Sequence, residues 1–172
     1  MAASLHNNSE ADIYAQALLD KLKNQNRNIV FAESCTAGLL AGSLARIPGA
    51  SSVLWGAYVT YTLDAKNKML NVCYDTLEKH GAVSRETALS MAINALKQSG
   101  ASIAVSVTGL AGPLGDGTPT KVGTVWIAYA EVSQTAEKTI ITDARCFMLE
   151  GDRQTIRNAA VIDALKMALD FL

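Results

Sequence analysis

The sequence predicts an α/β fold: a three-layer α/β/α sandwich around a mixed, mainly parallel sheet. Three observations point there. Short apolar runs rich in β-branched residues, at 28–33, 53–62 and 103–108, alternate with segments whose apolar residues recur at helical spacing, the pattern of βαβ crossovers. Two further apolar runs, 124–130 and 139–148, are joined by a link too short for a crossover and so pair antiparallel. Neither repeat nor linker interrupts the 172 residues, a length that suits one domain with one sizeable core.

Residues 1–9 read as a flexible polar terminus and 10–172 as the single domain. Ile13, Ala17, Leu18 and Leu22 place a helix over 10–25, with Lys21 and Lys23 near its end, where cations complement the helix dipole. The strand at 28–33 runs into a polar turn, Glu33-Ser34-Cys35-Thr36, and then into a helix over 35–46 carried by Leu39, Leu40, Ser43, Leu44 and Ile47. Pro48 and Gly49 make a loop before the strand at 53–62, in which Tyr61 shares a face with Trp55, Ala57 and Val59. Asp64 is positioned to cap a helix with Lys66 in its first turn. Ser84 caps a helix over 85–99 with an inner face of Ala88, Met91, Ala92, Ala95 and Leu96, and Gly100 ends it. The strand at 103–108 leads into an irregular glycine-rich segment, 109–123. Gly151 and Asp152 open a last helix over 153–171, with Ile156, Ala160, Leu165, Ala168 and Leu169 as its buried stripe.

Composition narrows the classes. Hydrophobic residues make up 49% and charged residues 18%, with a net charge of -1, so the chain is neither disordered nor highly charged. It has no basic run, which argues against nucleic acid as a partner but leaves a nucleotide-sized ligand open. No apolar run is long enough for a membrane span, and residues 1–12 lack the apolar stretch of a signal peptide. A cytoplasmic location is expected. Cys35, Cys73 and Cys146 are odd in number and widely spaced, and His6 and His80 are the two histidines, so neither a disulfide framework nor a metal centre is expected.

The chemistry is expected at the strand-to-helix turn after residue 33, because open α/β sheets place ligands at the carboxyl ends of their strands. Ser34 is the candidate nucleophile and needs a base. Nothing in the sequence brings His80 to Ser34, and His6 lies in the terminus. A partly desolvated lysine can serve instead. Tyr61 and Lys66 stand five apart across a second strand-to-helix turn, and if that turn lies beside the first, a Ser–Lys–Tyr cluster results. Cys35 is the rival nucleophile or a small buried hydrophobe. Glu33 is an acid or base, or a cap on a neighbouring helix. Thr36 caps the helix or helps to hold an amide. Thr108, Gly109 and Gly112 follow a buried strand and are candidates for substrate contact; the loop 109–123 is a phosphate cradle or a plain lid. Arg153 and Arg157 stand four apart on the last helix, where they could share one phosphate, and a solvated position is preferred for Arg157.

Six segments occur in an order that resembles one family: Ala32-Glu33-Ser34-Cys35-Thr36-Ala37-Gly38, Val59-Thr60-Tyr61-Thr62-Leu63-Asp64-Ala65-Lys66, His80-Gly81-Ala82-Val83-Ser84, Thr108-Gly109-Leu110-Ala111-Gly112-Pro113, Val122-Gly123-Thr124-Val125-Trp126 and Gly151-Asp152-Arg153. Together, over roughly 10–170, they resemble the CinA C-terminal domain family, whose characterised activity is that of a nicotinamide mononucleotide deamidase (PncC type). The resemblance implies hydrolysis of the nicotinamide carboxamide to nicotinic acid mononucleotide and ammonia. It implies Ser34 as nucleophile, Lys66 as base and Tyr61 as an assisting group, with no metal or redox cofactor, and a homodimer. It tips Arg153 toward a substrate role. Oxyanion donors are expected from N–H groups at the start of the 35–46 helix. The chain departs from the commonest family pattern at Ala37, where a second glycine is frequent, and at Thr62-Leu63, in place of Ser-Asn. An amidase for another small amide, or a catalytically silent binding module, are the alternative functions.

Overall fold

The computed structural model describes residues 9–133 and 139–172. Its elements follow in the order α1 (Glu10–Asn24), β1 (Ile29–Glu33), α2 (Leu39–Ala45), a short 3-10 turn (Ala50–Ser52), β2 (Leu54–Val59), α3 (Leu63–Leu70), α4 (Tyr74–His80), α5 (Arg85–Ser99), β3 (Ile103–Gly109), β4 (Thr124–Val132), β5 (Ile140–Met148) and α6 (Arg153–Phe171). One five-stranded sheet has the order β2-β1-β3-β4-β5. The β1–β2 and β1–β3 ladders are parallel, and β4 runs antiparallel to both β3 and β5, so four of the five strands point the same way. The mixed, mainly parallel sandwich read from the sequence is the observed architecture.

Each face of the sheet has its own core. Leu18, Leu22, Phe31, Leu44, Ile127, Tyr129 and Leu165 pack on the side of α1, α2 and α6. Val30, Ala32, Leu70, Met91, Leu96 and Ala128 pack on the side of α3, α4 and α5. All five residues of β1 are buried, as expected of a central strand covered on both faces. Full burial of one such Leu, Phe or Met side chain contributes about 1.5–3 kcal/mol.

Local signals set several boundaries correctly. Ser84 caps α5 with its hydroxyl on the Thr87 N–H, left-handed Gly100 ends it, and Asp152 caps α6 through the Thr155 N–H. Others differ. Ser9, assigned to the loose terminus, caps α1 in a reciprocal pair with Asp12; residues 1–8 lie outside the described residues. Helix α1 turns Ala15, Leu18, Leu19 and Leu22 inward and leaves Ile13 and Ala17 exposed. The second strand is shorter than expected and ends at Val59, so Tyr61 lies beyond it. Thr62 rather than Asp64 caps α3, accepting the Ala65 N–H. Helix α4 has no counterpart among the expected elements.

The topology brings three strand ends together. Glu33 at the end of β1 sits opposite Val59 of β2 and Val107 of β3. Ser34 follows the end of β1, Lys66 lies in α3 just beyond β2, and Thr108 is the last but one residue of β3.

Candidate active site

The turn after β1 is built by its own backbone and one carboxylate. The Ser34 N–H still follows the sheet, donating to Val107 O at 2.9 Å. Ala37 and Gly38 then take left-handed conformations, with φ of 51° and 94°, which postpones α2 to Leu39. This corrects the expectation of a helix from residue 35. Glu33 is fully buried beneath the turn. Its carboxylate accepts the N–H groups of Gly38 (2.8 Å), Leu40 (3.1 Å) and Ala41 (2.9 Å), the donors that a helix start leaves free. Glu33 thus holds the donors at the observed start of α2, whereas the N–H groups at the start of the expected 35–46 span are those of Cys35 and Thr36. The N–H groups of Cys35 and Thr36, ahead of the helix, reach no oxygen acceptor among the described residues.

The segment after β2 brings in a lysine. The Thr60 N–H donates to Glu33 O at 2.7 Å, which carries the β1–β2 pairing one residue beyond the strand. The capped start of α3 then points Lys66 back under the turn. Its side chain is buried, with 1% exposure for the residue, and Nζ donates to Ser34 Oγ at 2.8 Å and to Thr60 O at 2.9 Å. Burial pulls the Lys66 amine down from 10.5 to about 8, since desolvation disfavours the charged form. Its two partners are a neutral hydroxyl and a carbonyl, and among the described residues no carboxylate pairs with it. A lysine of this kind is deprotonated often enough near neutral pH to take a proton from Ser34.

Cys35 is buried in the core on the α1, α2 and α6 side, and burial pushes its thiol up to about 11. A thiol so raised is a poor nucleophile near neutral pH.

The remaining candidates divide. Tyr61, 53% exposed, is bonded not to Lys66 but to Arg153, whose Nη2 donates to its hydroxyl at 2.5 Å. Arg153 Nη1 donates to Gly112 O at 2.8 Å, so one guanidinium ties the start of α6 to the glycine-rich loop and to Tyr61, two residues before α3. Thr108 Oγ1 donates to Ala82 O at 2.7 Å. A side chain at Gly109 would place its Cβ 2.9 Å from Thr124 O, so close approach of β4 alone requires glycine there. The buried hydroxyls of Thr36 and Thr60 have no hydrogen-bond partner among the described residues. His80 ends α4 with its ring 3.7 Å from the Glu86 carboxylate. Among the described residues no group of three or more His, Cys, Asp or Glu side chains could hold a metal ion.

Arg157 corrects the preference for a solvated position. It is half-buried, and Nε donates to Cys35 O (2.9 Å) while Nη2 donates to Thr36 O (3.0 Å). The four-residue spacing from Arg153 puts both arginines on one face of α6, but the partner lies 122 positions away and left no local signal. Thr60, whose carbonyl receives Lys66, was likewise silent in the sequence.

Comparison with known proteins agrees with this geometry. The profile of the CinA C-terminal domain matches residues 11–172. The nicotinamide-nucleotide amidohydrolase PncC of Escherichia coli K12 is 42% identical over 145 residues, 84% of this chain and 84% of that protein. A CinA-like protein of Prochlorococcus marinus (strain AS9601) is 45% identical over 119 residues, 69% of this chain. The chain spans 28% of that protein's length, and 37% of another relative's, from Alkaliphilus metalliredigens. The crystal structure of the competence/damage inducible protein CihA from Agrobacterium tumefaciens superposes with a TM-score of 0.85 at 38% identity, covering 94% of this chain and 95% of that one. That of ComA from Klebsiella pneumoniae gives 0.87 at 30% identity, covering 95% and 98%. With nearly its whole length matched by the profile, and with the turn and the lysine in place, this chain belongs to the CinA C-terminal domain family.

Proposed function

We propose that this chain is a nicotinamide mononucleotide amidohydrolase, with Ser34 as nucleophile and Lys66 as its base. The observation that carries the reading is the 2.8 Å contact between Lys66 Nζ and Ser34 Oγ, made by an amine that burial brings down to about 8. The similarity to the E. coli amidohydrolase supplies the substrate class.

The steps follow from the contacts. Neutral Lys66 takes the Ser34 hydroxyl proton along their shared hydrogen bond, and Ser34 Oγ attacks the carboxamide carbon. The Cys35 and Thr36 N–H groups, which no oxygen of the described residues occupies, receive the developing oxyanion. Lys66 returns the proton to the departing nitrogen, which leaves as ammonia. Water then attacks the ester, gives its proton to Lys66, and Ser34 regains its hydroxyl. Glu33 keeps the turn in shape from below. Thr36, Thr108, Gly109 and Gly112 are assigned to substrate contact, and exposed Tyr61 with Arg153 to the ribose phosphate.

No helix of the described residues is long and apolar enough to cross a membrane, which accords with work in the cytoplasm. We also infer a homodimer, since edge strand β2 leaves Trp55 and Val59 exposed; sedimentation at working concentration tests this. The direct test of function is ammonia release from nicotinamide mononucleotide, its riboside and nicotinamide. Turnover of the mononucleotide that vanishes in Ser34→Ala supports the reading; turnover retained in that variant refutes it.

A further inference from the structure

We propose that Arg157 is a positioning residue for this reaction, aiming the peptide groups that receive the oxyanion. The inference rests on the reading of Ser34 given above. Arg157 grips the backbone of the nucleophile turn itself. Its fork spans two successive carbonyls, those of Cys35 and Thr36. A trans peptide holds its C=O and N–H on opposite sides. Fixing Cys35 O on the guanidinium therefore turns the Thr36 N–H away from Arg157. Fixing Thr36 O does the same for the Ala37 N–H, which donates back to Ser34 O at 3.1 Å. That bond in turn orients the Ser34–Cys35 peptide, whose N–H belongs to Cys35. Two arginine contacts thus set the direction of both free donors beside Ser34.

The arginine also acts electrically. A cation on a carbonyl polarises the peptide and strengthens its N–H as a donor. Lysine could supply the charge, but as a point charge on a flexible stem it lacks the planar fork that fixes the direction of two carbonyls at once. Helix α6 carries Arg157 as a half-buried residue one turn past Arg153, so the two arginines divide the work: Arg153 bonds the glycine-rich loop and Tyr61, and Arg157 bonds the turn.

The test is steady-state kinetics of Arg157→Met and Arg157→Lys on nicotinamide mononucleotide, with thermal melting of each. Donors displaced by a fraction of an ångström cost on the order of tenfold to a hundredfold in turnover. The expected result is a kcat lower by that factor in Arg157→Met with KM changed less than about threefold, since the contact acts through the transition state. Arg157→Lys should lie between the two, and millimolar guanidinium should restore part of the kcat of Arg157→Met at a temperature well below its melt. If Arg157→Met does not fold, Arg157→Lys decides the matter by the same split. An unchanged kcat overturns the proposal. So does a raised KM with unaltered kcat, which would make Arg157 a substrate ligand. Failure of the Ser34 reading itself shows separately, as activity retained by Ser34→Ala.

Discussion

Lys66 Nζ stands 2.8 Å from Ser34 Oγ, although 32 positions separate the two residues in the chain. Its second partner is the carbonyl of Thr60, so the amine is solvated by neutral oxygens in a place that water barely reaches. Such a group is held near the point of losing its proton, and several measurable consequences follow from that one placement.

Activity should follow the ionisation of Lys66. The base must be neutral, so kcat/KM rises with pH and reaches half its plateau near 8, where an ordinary lysine would place the midpoint at 10.5. Lys66→Arg, which keeps its proton throughout, should be inactive at every pH. A rate profile flat from pH 6 to 10 would remove Lys66 from the base role.

The same burial makes stability depend on pH. The folded-state value lies below the unfolded one, so the unfolded chain binds more protons between about pH 8 and 10.5, and stability rises through that window. The full penalty below pH 8 is about 3 kcal/mol. Cys35 and Tyr129, both raised by burial, work in the opposite direction above their ordinary values. Urea unfolding of wild type and Lys66→Met isolates the lysine, because the other groups are common to both. The stability difference between the two proteins should shift by about 3 kcal/mol in favour of wild type as pH rises from 8 to 10.5. A difference independent of pH would contradict the assignment.

Ala37 occupies a left-handed conformation at φ 51°. For alanine this costs about 1–2 kcal/mol, and glycine removes that cost at an entropic loss of about 0.5–1 kcal/mol in the unfolded chain. Ala37→Gly should therefore stabilise the protein by about 0.5–1 kcal/mol, read from chemical denaturation. The expectation fails if the variant is less stable. The left-handed backbone also gives a physical reason for glycine to be frequent at this position in the family.

Arg153 reaches Tyr61 and Gly112 at the rim. If it meets the phosphate, Arg153→Gln should raise KM for the mononucleotide by about tenfold and leave KM for the riboside within about twofold. Equal rises for both substrates would assign Arg153 to holding the loop instead.

Local chemistry made much of this structure legible. Ser84, Gly100 and Asp152 mark helix ends by caps that need no distant partner: α5 begins and ends, and α6 begins, where those residues place them. The alternation of apolar runs was enough for the sheet, because a buried strand such as β1 announces itself by composition. The misses involve either conformations or distant partners. Nothing in the identity of Ala37 advertises a left-handed backbone, so α2 seemed to start four residues early. In α1 two apolar stripes overlap, and only packing against α6 and α2 selects the one with Ala15 and Leu19. At the site, the turn and the lysine could be named from residue type and sequence context. The partners of Glu33, Tyr61 and Arg157 could not, because each depends on how separate connections meet at one sheet edge.

The most direct test is to trap the covalent intermediate. Rapid acid quench of the protein turning over nicotinamide mononucleotide, followed by peptide mapping by mass spectrometry, reads which side chain carries the acyl group. The account predicts an ester of the nicotinic acid mononucleotide moiety on Ser34, absent in Ser34→Ala and in Lys66→Met. An adduct on Cys35, or undiminished ammonia release from Ser34→Ala, would contradict it.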